Sequence, residues 1–247
     1  MNLDLEGRVA LVTGGAAGIG AAIATALARE GCDVATVDCR AVAAGDVRPA
    51  EAPGRRRRAY QADVRDYAEA SRVVAEVIRD LGRLDILICN AGVTADASLW
   101  RMSEEQWDRV VDVNLKGCFN YMRAVAAHFK SNGGGKIVGL ASINGLRGKA
   151  GQANYAASKA GIVALGKTAA RELGRFNVNV NVVAPGMVMT DMTRSLAAEH
   201  VEKAAAESVL GRIATPEECA DVVTFLCSER SRHITGEVIQ VDGGQYI

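Results

Sequence analysis

The sequence predicts an α/β fold, a doubly wound parallel sheet flanked by helices on both faces. Three observations carry this. Short apolar runs such as Val9-Ala10-Leu11-Val12 and Ile86-Leu87-Ile88-Cys89 lack polar alternation, as strands covered on both faces do. Between such runs lie stretches with apolar residues at helical 3–4 spacing. The first run passes at once into Thr13-Gly14-Gly15-Ala16-Ala17-Gly18-Ile19-Gly20 and then into an alanine-rich segment. With 247 residues, 49% of them apolar, the chain can fill one large core, and α/β folds often reach this length as a single unit. A single domain over 1–247 is expected.

The first strand is expected at Arg8–Val12 and the first helix at Ala21–Glu30, ended by Gly31. A glycine loop between a strand and a helix suits a pyrophosphate. Glycines let the backbone approach the phosphates, and the helix N-terminus offers free N–H groups. The spacing is T-G-x-x-x-G-I-G, longer than the common G-x-G-x-x-G fingerprint. The second strand, Asp33–Val37, ends at Asp38, where a carboxylate can bond the adenosine ribose hydroxyls and repel a 2′-phosphate. Ala17 supplies no base to hold that phosphate, although Arg40 lies nearby. The balance favours NAD over NADP.

Residues 41–58 are irregular, broken by Pro49, Pro53 and Gly54, with the basic run Arg55–Arg58. The run is short and has no aromatic interleaving, so a solvated loop or edge explains it better than a nucleic-acid patch. The third strand is expected at Ala59–Ala62, running into Asp63 and Val64. A helix follows over 66–82, from the spacing of Val73, Val74, Val77, Ile78 and Leu81. The fourth strand, Leu84–Cys89, leads into Asn90-Ala91-Gly92, small residues that let a ligand lie against the backbone. A helix over 103–129 opens with a capping box from Ser103 to Gln106 and carries a polar Asn114 among apolar neighbours. After a glycine loop at 133–135, the fifth strand Lys136–Leu140 ends at Ala141-Ser142, where open α/β sheets bind ligands. Tyr155 and Lys159 then share one face of a helix, one turn apart. A neighbouring ammonium favours the phenolate and makes the phenol a usable acid or base near neutral pH.

Composition excludes several classes. Lys plus Arg and Asp plus Glu are each 29, so charge gives no argument for nucleic acid or an anionic membrane surface. Six cysteines (Cys32, Cys39, Cys89, Cys118, Cys219, Cys227) form no C-x-x-C pair, and buried thiols in a reducing compartment fit better than disulfides or a metal site. The acidic start Met1–Glu6 has no apolar signal core, and no apolar run approaches the ~20 residues of a membrane span. A soluble, cytoplasmic protein is expected.

Thr13-Gly14-x-x-x-Gly18-Ile19-Gly20, Asn90-Ala91-Gly92, Asn114, Ser142, Tyr155-x-x-x-Lys159 and Pro185-Gly186 resemble, in order and spacing over essentially the whole chain, the short-chain dehydrogenases/reductases. The resemblance implies a single Rossmann-type domain of about seven parallel strands, an oxidoreductase activity, and often a homotetramer. It implies that Tyr155 is the acid/base, that Lys159 lowers its pKa and bonds the nicotinamide ribose, that Ser142 holds the substrate oxygen, and that Asn114 positions a water in a proton relay. It also implies cofactor contacts at Gly14, Ala17, Gly18, Ile19, Gly20, Asp38, Asp63, Val64, Asn90, Ala91, Gly92, Tyr155, Lys159, Pro185, Gly186, Val188 and Thr190.

Gly151–Tyr155, Val180–Gly186, Thr190–Thr193, Ile234–Gly236 and Val241–Gly244 are similar to the 3-oxoacyl-[acyl-carrier-protein] reductases within that family. So is Arg175, at a position where those enzymes dock an acidic carrier protein. Asp38 and Ala17 depart from those reductases, which mostly use NADPH. The second docking base gives way to Gly133–Gly135, flanked by Lys130 and Lys136. The substrate implied is a 3-oxoacyl or 3-hydroxyacyl thioester, and the partner an acyl carrier protein. An NAD-dependent dehydrogenase of a cyclic, polyol or other small secondary alcohol stays open, as more remotely does an inactive cofactor-binding scaffold.

Residues 187–210 are expected to cover the substrate as an integral loop, with Met187, Met189, Met192 and Leu196 suiting an acyl or alicyclic group. Asn144, Gln152, Leu99 and Trp100 are further candidates for the substrate pocket. Thr215 with Pro216 opens a helix, 237–241 gives the last strand, and the apolar Tyr246-Ile247 end suits packing on another subunit.

Overall fold

In the computed structural model, residues 3–40, 54–194 and 197–247 are described. Pro49, Pro53 and Leu196, named above, lie outside them, as does the side chain of Met192. In chain order come β1 (Val9–Thr13), α1 (Gly18–Arg29), β2 (Asp33–Asp38), β3 (Arg57–Gln61), α2 (Tyr67–Leu81) and β4 (Ile86–Cys89). Then follow α3 (Glu104–Val111), α4 (Gly117–Ser131), β5 (Gly135–Leu140), the short α5 (Asn144–Arg147) and α6 (Ala153–Leu173). The chain ends with β6 (Val178–Pro185), the short α7 (Asp191–Arg194), α8 (Ala198–Glu207), α9 (Pro216–Cys227) and β7 (Val238–Val241).

The strands form one seven-stranded sheet in the order β3-β2-β1-β4-β5-β6-β7. Every pairing is parallel. Helices cover both faces. Leu11, Leu87 and Cys89 point into one core with α2, α4 and α6, built on Val73, Val77, Tyr121, Phe129 and Ile162. Ala10, Val12, Ile86 and Ile88 point into the other, with Ile23 and Leu27 of α1 and Val223 and Leu226 of α9. Neighbouring residues of one strand thus meet opposite apolar layers, which explains strands without alternation. The chain leaves β1 in one direction and β4 in the other, so the strand order reverses between them and opens a crevice beyond their carboxyl ends.

Local signals read from the residues hold at several helix starts. Ser103 and Gln106 form the expected capping box, and Thr215 with Glu218 forms another around Pro216. The buried asparagines of β6 are fully engaged. Asn179 accepts from Lys136 Nζ at 2.8 Å and donates to the carbonyls of Arg232 and Ile234, and Asn181 accepts from the Glu237 amide. Together they fix the approach to β7.

Two expectations shift. The third strand spans Arg57–Gln61 instead of Ala59–Ala62, because it is the sheet edge, where arginines are tolerated and their side chains find partners across neighbouring elements. Arg57 donates to the Ala24 carbonyl at 3.2 Å and Arg56 Nε to Asp33 at 2.7 Å. The basic run is thereby held by its own chain. The long helix expected over 103–129 is interrupted: Asp112–Lys116 form a π turn, in which the Gly117 amide donates to the Asp112 carbonyl five residues back. This lets α3 pack on α6 while α4 packs on α2. Among the described residues no helix is long and apolar enough to cross a membrane, and no cluster of three His, Cys, Asp or Glu is placed to hold a metal ion.

Candidate active site

The start of α6 is pinned before it delivers any chemistry. Asn154, fully buried, donates to the carbonyls of Ala95 and Gln106 at 2.9 Å each and accepts from the Tyr155 amide at 2.7 Å. One turn on, Ser158 donates to the Tyr155 carbonyl and accepts from Asn114 Nδ2 at 3.1 Å. Tyr155 and Lys159 therefore project from a helix whose first turns are tied to the loop after β4, to α3 and to the turn that carries Asn114. Gly145 of α5 and Gly161 of α6 permit the close packing. A Cβ on Gly145 would stand 2.7 Å from the Ala160 nitrogen, and one on Gly161 2.6 Å from Leu115 of the π turn.

Lys159 is buried, and its Nζ donates to the Leu140 carbonyl at the end of β5 at 2.6 Å. Burial lowers its pKa to about 8. Its ammonium lies 5.6 Å from the centroid of the Tyr155 ring. Burial raises the Tyr155 pKa, a hydrogen bond with the Ser142 side chain works in the opposite direction, and the charge of Asp96 adds to the rise. In this arrangement the hydrogen bond with Ser142 favours the phenolate. Ser142 accepts from the Asn144 amide at 3.2 Å, which fixes its hydroxyl at the strand end.

Asn114 is 1% exposed and its amide is fully engaged: Oδ1 accepts from Val93 N at 2.8 Å, and Nδ2 donates to the Val93 carbonyl and to Ser158. It ties the loop after β4 to α6. A Cβ on Gly92 would come 3.3 Å from Asn114 Oδ1 and 3.5 Å from Lys159 Nζ, so this glycine keeps the space between them clear.

The crevice between β1 and β4 is stitched from both sides. Thr13 Oγ1 accepts from the amides of Asn90 and Ala91 at 2.9 and 3.1 Å, and Asn90 Nδ2 donates to the carbonyls of Thr13 and Gly14 at 3.0 Å each. Gly14 takes a left-handed φ of +63°, and a Cβ on Gly20 would stand 2.2 Å from the Gly14 oxygen. These two positions therefore admit only glycine, which brings the turn's backbone close to the N-terminus of α1. No side chain caps that N-terminus, so its free N–H groups face the crevice with a partial positive charge. This set of donors fits the pyrophosphate of a dinucleotide.

One pocket gathers Ile19, Asn90, Gly92, Ser142, Tyr155, Lys159, Pro185, Gly186, Val188 and Thr190 of the residues expected in a site. It also takes in Val93, Thr94, Leu140 and Ala141, which sequence reasoning missed. The available signal was position, since these residues directly follow Gly92 or precede Ser142. Asn144, Gln152 and Met187 do not line this pocket. Gln152 donates to Asp96 at 2.8 Å and accepts from Asn144 at 3.1 Å, and the Met187 amide donates to Gln245. Leu99 and Trp100 are 72% and 84% exposed on the surface. A larger groove at the β7 edge, walled by Val209, Leu210, Gln240 and Ile247, contains none of the acid–base residues.

Gly14, Ala17 and Gly18 sit in the turn itself, and Ala91 lies against Gly14. Asp38, Asp63 and Val64 sit at or just beyond the carboxyl ends of β2 and β3. Asp38 is nearly buried, its side chain only 9% exposed. Arg40 folds back on it, with Nε donating to Oδ1 at 3.0 Å and Nη2 to Oδ2 at 3.1 Å. Burial works to raise the Asp38 pKa, but these bonds hold it below the ordinary carboxylate value.

The chain matches a family model described as Enoyl-(Acyl carrier protein) reductase over residues 14–245. It is similar to the 3-oxoacyl-[acyl-carrier-protein] reductase FabG of Thermotoga maritima, 43% identical over 246 residues, 99% of this chain and 100% of that protein. It is also similar to FabG of Staphylococcus aureus, 42% identical over 242 residues, 97% of this chain and 98% of that protein. A third relative is the (3R)-3-hydroxyacyl-CoA dehydrogenase of Mus musculus, 44% identical over an alignment of 255 residues, 99% of this chain and 98% of that protein.

These findings correct the expectation of NAD over NADP. The full-length similarity is to 3-oxoacyl-[acyl-carrier-protein] reductases, the group that the sequence resemblance pairs with NADPH. The physical reason lies in the fold: the expectation needs a free Asp38 carboxylate, and that carboxylate is bound on both oxygens by Arg40.

Proposed function

The chain belongs to the short-chain dehydrogenase/reductase family, and from that premise we propose that it interconverts 3-oxoacyl and 3-hydroxyacyl thioesters, with NADP(H) as the nicotinamide cofactor. The activity is that of an oxidoreductase acting on CH–OH groups. The observation that carries the reading is the pocket lined by Ser142, Tyr155 and Lys159 together, with Lys159 anchored on the Leu140 carbonyl and Ile19 of the glycine turn in its wall. When bound, the nicotinamide supplies the hydride. The glycine turn and the N-terminus of α1 would hold its pyrophosphate, and Lys159 its ribose. Ser142 donates to the substrate carbonyl oxygen and stabilises the negative charge that grows there. Tyr155 gives its phenolic proton to the same oxygen. Lys159, on the Leu140 carbonyl, keeps a positive charge beside the phenol as the proton leaves. Asn114 holds the Val93 loop and α6 together so that these groups stay in register.

The carrier side of the substrate is supported by a basic surface at the end of α6. The cationic heads of exposed Lys130 and Arg175 both lie over the ring of Phe176, at 4.9 and 4.8 Å from its centroid. An acidic carrier protein suits that pair of charges. Leu99, Trp100, Phe119 and Ile247 are exposed apolar residues, and assembly into a homo-oligomer would cover them.

A steady-state comparison tests the reading, with NADPH and NADH against acetoacetyl-CoA and a 3-oxoacyl carrier-protein thioester. Turnover of neither thioester with either dinucleotide sinks it. Arg175→Glu is expected to raise KM severalfold for the carrier-protein thioester and to leave KM for the CoA thioester unchanged. An equal change for both would remove the carrier-docking assignment.

A further inference from the structure

The guanidinium of Arg147, at the end of α5, reaches three separate parts of the chain. Nε donates to Asn144 Oδ1 in its own short helix, Nη1 to the Gln245 carbonyl in the segment after β7, and Nη2 to Glu207 Oε2 at the end of α8, each at 3.2 Å. Gln245 continues the tie with its side chain. Its Oε1 accepts from the Met187 amide at 2.9 Å, and its Nε2 donates to the Ala204 carbonyl of α8 at 2.7 Å. Gln245 lies so close to Gly186 that a Cβ there would collide with Oε1. Gly186 and Val188, on either side of Met187, line the pocket that holds Ser142, Tyr155 and Lys159.

Little apolar surface holds α8. Of its ten residues only Ala204 is buried, and Val209 and Leu210 just beyond it are exposed. A helix this short draws its stability from packing, and where little is packed, polar ties decide its position. Its further ties also run to the segment after β7: Ser208 Oγ and the Leu210 amide donate to the Gly243 carbonyl at 3.0 and 3.2 Å. That segment is folded back on itself, with the Asp242 carboxylate accepting from the Gly244 and Tyr246 amides at 3.0 Å each. On the other side, Asn144 Nδ2 donates to Gln152 and Gln152 to Asp96, so α5 is anchored to the loop after β4. The Arg147–Glu207 ion pair, with side chains 26% and 39% exposed, is weak by itself. A planar group bonded in three directions fixes an orientation that one such pair does not.

We propose that Arg147 is a positioning residue for the substrate: by fastening α8 and the segment after β7 to the anchored α5, it holds the Gly186–Val188 wall of the catalytic pocket in place. It touches no reacting atom and acts through Gln245. Its part in substrate binding rests on the reading of this pocket as the site of thioester reduction; the fastening itself does not.

Two readouts on the full-length protein test this. Hydrogen exchange without substrate compares wild type with Arg147→Ala; exchange is expected to quicken in 186–190, 198–207 and 243–247 and to stay unchanged in β1, β4 and β5. Steady-state kinetics with acetoacetyl-CoA at saturating NADPH should show KM raised about fivefold in Arg147→Ala, the scale of one net hydrogen bond, with kcat within about twofold. Gln245→Ala should raise KM to a similar extent, and the double variant no further than the larger single effect, because both cut one path. Arg147→Lys should recover part of the loss. Unchanged exchange in 198–207 and 243–247, additive effects on KM, or a fall in kcat as large as the rise in KM overturns the positioning role. If wild type reduces no thioester, the reading of the pocket falls with the role in substrate binding, while the exchange comparison still decides the fastening, so the two failures are distinct.

Discussion

The two ends of the crevice are built on opposite electrostatic plans. At the end formed by β4, β5 and α6, Ser142, Lys159 and Asn114 are each under 8% exposed, and among the described residues no carboxylate pairs with Lys159. Burial itself moves the titratable groups there, lowering Lys159 and raising Tyr155. At the end formed by β2 and β3, Arg40 and Arg65 are more than half or half exposed, and each is bracketed by its own aspartate. The contrast teaches that the buried groups are tuned by removing water, while the exposed arginines keep their water and are oriented by ion pairs. Dielectric decides the division: a charge acts strongly where solvent cannot screen it, and selectively where it can be displaced.

Four measurements bear on this contrast. The largest effect is expected from Tyr155→Phe, which removes the proton donor and should lower kcat on the order of 10³-fold with dinucleotide affinity within about twofold. A large loss of affinity would mean that the two ends are not separable. Ser142→Ala should cost roughly 10²-fold in kcat, the scale of one donor to a developing oxyanion. It should also raise the Tyr155 pKa further, because the hydrogen bond that opposes burial is lost. A pH profile comes third. Lys159 carries its charge below about 8 and loses it above, and reduction needs both that ammonium and the phenolic proton. Reductive kcat should therefore be flat on the acid side and fall as pH rises through about 8; a profile rising across that range would contradict the assignment. The smallest effect is ionic strength. Moving from low to physiological salt should weaken NADPH binding severalfold more than NADH binding and leave kcat unchanged, because only the exposed end is screened. Equal weakening would erase the difference between the two ends.

Much of this could be read from the residues. Parallel strands declare themselves by apolar runs without alternation, and Ser103, Thr215 and the glycine turn mark their helices through local hydrogen bonding alone. The edge strand was harder to place, since Arg57 and Arg58 look like a loop until the sheet edge gives them partners. The π turn was invisible because the apolar spacing through Val110, Val111, Val113 and Leu115 continues smoothly across it. Tyr155, Lys159 and Ser142 were placed by motif and meet in one pocket. Asp38 was read as a free carboxylate, because its charge is cancelled by a side chain two residues away whose direction only the backbone turn reveals. Gln152 and Asn144 were expected to face substrate, yet buried polar groups first satisfy each other, and these two close a network with Asp96.

The π turn at Asp112–Lys116 holds one residue more than an ordinary helical turn. Removing any one residue there would mend the helix and, at about 100° per residue, rotate everything beyond it relative to everything before. Tyr121, Val125 and Phe129, each fully buried, would be swung away from the core, and Asn114 away from Val93 and Ser158. A single-residue deletion is thus more damaging here than most substitutions, although it would yield a more regular helix. The fold thus tolerates a change of length in exposed loops far better than between Ser103 and Ser131, where only exchange of side chains leaves the buried residues in place.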